Sequence, residues 1–101
     1  MKEFKIDCVS RWPRSGKGRH EDITHIGNRA GQWRLTRQDA IAQIHLKISA
    51  FYTIGLTSGE REYIDIVREP SSAPYLRSHA NGYWNDNLLM QAHCGGNCKT
   101  V

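Results

Sequence analysis

The chain has 101 residues, 39% hydrophobic and 24% charged, with a formal net charge of +4. That length supports one domain with a modest core and no obligatory metal or disulfide staple. No apolar run approaches the roughly 20 residues that cross a bilayer, and the N-terminus lacks the apolar stretch of a secretory signal. A cytoplasmic protein with no membrane partner is therefore expected.

The charge is unevenly placed. Residues 1–37 hold nine basic side chains against four acids, and the remainder five against six. Such asymmetry bears on partners, nucleic acid or another anionic surface, rather than on fold.

In chain order, Phe4, Ile6 and Cys8 alternate with Lys5 and Asp7, the period of a half-buried strand running toward Trp12, where Pro13 ends the ladder. Residues 13–20 read as a flexible basic loop. A second strand at Asp22 to Ile26 makes an N-terminal hairpin, stopped at Gly27-Asn28. Thr36 with Asp39 resembles a capping box, and Ala40, Ile41, Ile44 and Ile48 share one face of a helix from about Arg37 to Lys47. Two strands, Ala50 to Leu56 and Glu62 to Val67, flank the turn residues 57–60. Tyr52, Ile54 and Leu56 are expected on one face, with Ile64 and Ile66 pairing onto it. Pro70 to Pro74 forms a turn, and Tyr75 to Ser78 a fifth strand. Leu88 and Leu89 anchor an irregular stretch whose asparagines satisfy backbone groups, and residues 95–101 are expected to fray. The predicted order is ββαβββ: one α+β domain over residues 1–94, with one helix on a mostly antiparallel sheet and one sheet face left open.

Three cysteines cannot all pair in one molecule. They remain thiols in a reducing compartment, or a single Cys8–Cys94 or Cys94–Cys98 bridge forms in an oxidising one; the odd count argues against a disulfide scaffold. His93, Cys94 and Cys98, with Cys8 as a fourth ligand, offer zinc-type donors. Their spacing is not a paired Cys-x-x-Cys knuckle, so no metal or other cofactor is expected. In the competing reading Cys8 and Cys94 are small buried hydrophobes and Cys98 an exposed tail thiol. A Cys94 nucleophile would need His25 or His79 as its base, and no orienting third group can be named. Ser15-Gly16-Lys17-Gly18 lacks the phosphate-loop spacing and its following helix. No catalytic set emerges, and the chain is read as a non-enzyme.

The basic segment is more informative. Arg11, Trp12, Arg14, Lys17 and Arg19 form an acid-free run with one aromatic, followed by Arg29. Cations suit phosphates, and a tryptophan can stack on a base, so these six residues are the candidate RNA or DNA contacts. The alternative is a protein-interaction module or homodimer that uses the open sheet face or the Tyr83-Trp84 corner.

An ordered set of short pieces also resembles a family of small bacterial proteins classed as a domain of unknown function. The pieces are Ile6 to Val9 with Arg11, Ile23 to Gly27, Gln32 to Thr36 with Ala40, Ile41 and Ile44, then Phe51-Tyr52, Tyr75 to Ser78, Asn87 to Leu89, and Cys94. Ser78, Asp86 and Ala92-His93 depart from the family's pattern, as in a divergent member. The resemblance implies a compact α+β domain. It makes Cys8 and Cys94 family-type positions, leaves Cys98 outside the pattern, and carries over no activity, cofactor or catalytic residue.

Overall fold

The structure, a computed structural model, describes residues 1–12 and 18–101. It is α+β with one α-helix, as expected, but its strands number ten among the described residues and form two mixed sheets rather than one. The strands are β1 (Lys2–Lys5), β2 (Cys8–Arg11), β3 (Ile23–Asn28), β4 (Trp33–Thr36), β5 (Ser49–Ile54), β6 (Arg61–Val67), β7 (Tyr75–Ala80), β8 (Tyr83–Asn85), β9 (Ala92–His93) and β10 (Lys99–Thr100), with helix α1 (Arg37–His45) between β4 and β5. The first sheet has the order β1-β5-β6-β7-β8, and the second β10-β4-β3-β2-β9.

The single strand expected from Phe4 toward Trp12 is divided between the two sheets. The Ile6 N–H donates to Tyr52 O in the first sheet at 2.7 Å, and the next N–H, of Asp7, donates to Gly27 O in the second at 3.0 Å. The core-facing positions change phase at this crossover, since Ile6 lies in the main core and in β2 it is Val9, not Cys8, that joins it. The N-terminal hairpin is present as antiparallel β2–β3, with a register shift between Ser10 and Arg11. The β5–β6 hairpin and the strand beginning at Tyr75 are also present.

Between the sheets lies one core. Val9, Ile26 and Leu35 stand in register across β2, β3 and β4, and cluster with Phe51, Ile64 and Leu76 of the first sheet. Leu88 and Leu89 join them, so that stretch is pinned as expected. The faces of β5 and β6 differ from the expected ones. Phe51, Thr53, Glu62 and Ile64 point inward, while Tyr52 and Ile54 face outward. Apolar residues occupy both faces of this hairpin, so hydrophobic alternation alone does not choose between them.

The buried Glu62 is what makes that register work. Its Oε1 accepts from Asn85 Nδ2 at 2.9 Å and from Asn87 Nδ2. Asn85 Oδ1 in turn accepts from the Ser78 hydroxyl and from the Asn87 N–H at 3.0 Å. The amide-rich stretch after β7 is thus a closing structure built around a buried carboxyl.

Helix α1 begins where Thr36 Oγ1 accepts the Asp39 N–H at 3.1 Å. Ala40 is fully buried, and Ile41 and Ile44 pack on the core. The helix stops at His45, short of the expected Lys47. Lys47 then turns through a positive φ of 57°, which leaves Ile48 off the packed face and 57% exposed.

The C-terminal residues, expected to fray, are paired. β10 lies parallel to β4 with Lys99 opposite Trp33, and the Lys99 N–H donates to Gln32 O at 2.9 Å. No described helix is long and apolar enough to cross a membrane.

Candidate nucleic-acid interface

The outer face of the second sheet carries the residues that the inward-facing Val9, Ile26 and Leu35 leave over. Register places Cys8 beside Gly27 and Arg34 in one row, and Ser10 beside His25 and Thr36 in the next. The last residues of the chain cover part of this face. β9 lies along β2 at one edge, β10 lies along β4 at the other, and the strap between them returns across the sheet. Beneath the strap Cys8 and Cys94 are joined in a disulfide, with Cys98 buried beside them. Cys98 is therefore not an exposed tail thiol, and Cys8 and Cys94 are not free. The three sulfurs lie within 4.8 Å of one another and form a group among the described residues that His93 does not join. With two of the three bonded to each other, the cluster as folded offers no zinc-type ligand set.

Where the strap leaves the face uncovered, a cleft of about 340 Å³ opens, with Arg11, Trp12, His25, Arg34 and His93 on its walls and Cys94 to Gly96 along one side. No acidic residue lines it among the described residues. Trp12 stands at its mouth, 73% exposed. Arg34 is held from two sides, with Nη1 donating to Ser10 Oγ and Nε to Thr100 Oγ1, each at 3.0 Å. Both hydroxyl partners are neutral, and no carboxylate pairs with Arg34 among the described residues.

His25 Nδ1 meets Thr24 Oγ1 at 2.8 Å. Burial first, and the charge of Arg34 second, lower its pKa below the ordinary imidazole value. Arg11 behaves differently. Its Nη2 donates to the carbonyls of Leu89 and of Gln91, the latter at 3.0 Å, tying the strand to the C-terminal stretch. Its Nε is buried with no acceptor among the described residues, and burial lowers its pKa.

The six sequence candidates therefore separate. Arg11 and Trp12 meet at the cleft. Arg14 and Lys17 lie outside the described residues. Arg19 is exposed, and its N–H donates to Asp22 Oδ2 at 2.9 Å, opening a short 3₁₀ turn at His20–Asp22. Arg29 belongs elsewhere: it follows β3, whose other end pairs with Arg11, so about 20 Å of strand separates them. There its Nε lies 3.6 Å from Asp7, which compensates its charge. Arg34, His25 and His93 are cleft residues that stand outside the six nucleic-acid contacts expected from sequence, His25 being a candidate base and His93 a candidate zinc ligand. A signal for Arg34 was present, since Asn28 to Gln32 separate two β-patterned segments as a hairpin turn does.

A second surface comes from the first sheet. Register sets Lys5, Tyr52, Tyr63, His79 and Trp84 in one row, one residue from each of the five strands. Ring centroids are 6.2 Å apart for Tyr52–Tyr63 and 5.6 Å for His79–Trp84, and the Arg61 guanidinium sits 4.2 Å over Tyr52. Acids cross this row. Glu3 accepts from Arg61 and from the Tyr63 hydroxyl, both at 2.7 Å, and Asp65 lies 4.0 Å from His79. The Tyr63 and Arg61 contacts outweigh desolvation, so the Glu3 pKa falls below the usual carboxylate value.

The chain matches the family described as Protein of unknown function (DUF3892) over residues 5–90, from the end of β1 to just past β8. The match stops short of Cys94 and the strap. No curated protein and no solved structure matches it. With most of its length inside that match, as the ordered motifs led us to expect, the chain belongs to the DUF3892 family.

Proposed function

We propose that this protein is a non-catalytic binding module that takes single-stranded RNA or DNA in the cleft between β2, β3 and the C-terminal strap. The observation that carries the reading is an acid-free cleft holding Arg11 and Arg34 with an exposed Trp12 at its mouth. Phosphates would run along the guanidinium-lined wall while a base stacks on the indole, a division of labour that gives affinity without sequence readout. Trp12 also leads directly into the basic run containing Arg14 and Lys17, which extends the same charge along the chain.

The test is fluorescence anisotropy of a labelled single-stranded oligonucleotide across a salt series. Wild-type affinity should fall linearly on a log–log plot with salt, and Trp12→Ala should lose about 1–3 kcal/mol of binding. Its melting temperature should hardly change, because the indole is exposed. Equal affinity of Trp12→Ala and wild type, or binding indifferent to salt, would reject the reading.

The aromatic row supports a second reading, a protein-interaction face on the first sheet, because Glu3 and Asp65 place acids among its rings and beside Arg61 and His79. Trp84→Ala would then disrupt a complex or self-association seen in light scattering and leave oligonucleotide binding intact.

A further inference from the structure

The cysteine cluster holds chemistry that ligand binding in the cleft does not use. Cys8 and Cys94 are 86 positions apart in sequence yet bonded, and Cys98, 6% exposed, is a free thiol among the same buried atoms. All three sulfurs fall within 4.8 Å of one another. We propose that they form a thiol–disulfide exchange site in which Cys98 attacks the sulfur of Cys8 and expels Cys94.

The step balances without a co-reactant. Cys98 gives its proton to water; its thiolate forms the Cys98–Cys8 bond as the Cys8–Cys94 bond breaks; Cys94 leaves as a thiolate and takes up a proton. There is one disulfide and one thiol before and after, with no net oxidation.

The environment of the leaving group sets the direction. Exchange is faster when the departing thiolate is stabilised, and nearby cations do that. Cys94 belongs to the cleft wall with Arg11 and Arg34, so its thiolate would form near two guanidinium groups. Cys94 and Cys8 are both buried, but attack on Cys94 would release Cys8, which lies on β2 between β3 and β9 and does not line the cleft. The strap has room to follow the change. A side chain added at Gly95 or Gly96 would meet nothing within 4 Å. Disulfides in reducing compartments are commonly redox-active rather than structural, and a resident third thiol supplies an internal nucleophile for exchange. The proposal uses the charge of the cleft and holds whatever the cleft binds.

The experiment uses the purified, singly bridged full-length protein. It is brought from acid to about pH 8, where thiolates form, then quenched in acid, digested with pepsin and mapped by mass spectrometry. Peptides linked through Cys8–Cys98 should appear beside Cys8–Cys94, and a sample kept in acid throughout should show Cys8–Cys94 alone. The rate should rise about tenfold per pH unit on the acid side of the profile, since only the thiolate attacks. Cys94→Ser, treated with oxidised glutathione, should close a Cys8–Cys98 bridge. Persistence of Cys8–Cys94 alone after incubation, or exchange that yields Cys94–Cys98 instead, would overturn the proposal.

Discussion

Reducing the Cys8–Cys94 bridge in a Cys98→Ser background, where no other pairing is available, should cost this domain much of its stability. The bridge joins residues 86 apart, almost the whole chain. Loop-closure entropy for a ring of that size removes about 15 cal/mol/K from the unfolded ensemble, or about 4.6 kcal/mol at 25 °C. Domains of this length have stabilities of roughly 5–15 kcal/mol, so the bridge supplies a third or more of the total. With an unfolding entropy near 2.1 cal/mol/K per residue, the same loss lowers the midpoint temperature by about 20 °C. Urea unfolding of the oxidised and reduced forms, followed by tryptophan fluorescence, measures the difference directly. The reduced form should also show the larger m-value, because its unfolded chain is free to expand. A difference below about 1 kcal/mol with identical m-values would refute the reasoning, since it would mean that the bridge constrains nothing the unfolded chain would otherwise explore.

Two further outcomes follow from buried groups. Asn87→Ala removes one of the two amides that satisfy the Glu62 carboxyl oxygen, and the N–H of residue 87 remains to bond Asn85, so the loss isolates the side-chain contact. It should cost about 1–3 kcal/mol by urea titration, and a neutral result would place water, not Asn87, at that carboxyl. His25 is held neutral by burial and by Arg34, with a folded-state pKa below the ordinary 6.5. Stability from this site is complete above about pH 6.5 and declines as the pH falls below it, because the unfolded chain takes up the proton first. The wild-type midpoint should fall between pH 7.5 and 5.5 more steeply than that of His25→Gln, and parallel slopes would remove His25 as the cause.

How much of this fold is legible depends on how local each signal is. The Thr36 cap and the Ala40, Ile41, Ile44 face are written within nine residues, and the helix stands where they put it. The hairpins at β2–β3 and β5–β6 are bounded by turn residues and are equally readable. What a short window cannot show is partner choice. Phe4 to Val9 alternates as one strand, yet Ile6 bonds to Tyr52 and Asp7 to Gly27, in different sheets. The inward face of β5 is hidden from a short window for a similar reason. Thr53 and Glu62 are buried in place of Tyr52 and Ile54; the Ser58 hydroxyl donates to the Glu62 carboxyl from four residues away at 3.4 Å, but its two amide donors, Asn85 and Asn87, come from more than twenty residues away. A buried carboxyl is costly until its donors are in place, and nothing near Glu62 in sequence names the two amides that serve its other oxygen.

The site follows the same logic with one difference. Arg11 and Trp12 are readable because cation and aromatic are adjacent in sequence, whereas Arg34 and His25 reach the cleft through the register of β3 and β4. The strap was hidden altogether. Gly95-Gly96 and a charged end have the composition of a fraying tail, and short-range physics favours disorder there. Three long-range links override it: the Cys8–Cys94 bond, the Lys99 N–H on Gln32 O, and the Val101 N–H on Arg34 O at 3.0 Å. The two hydrogen bonds are weak by themselves and the bridge is one of two possible pairings, but together the three bind both ends of the strap to one sheet. That same strap forms a wall of the cleft and buries the third thiol, so the odd cysteine, whose count alone argues against a disulfide framework, is the residue that gives the bridge a partner to exchange with.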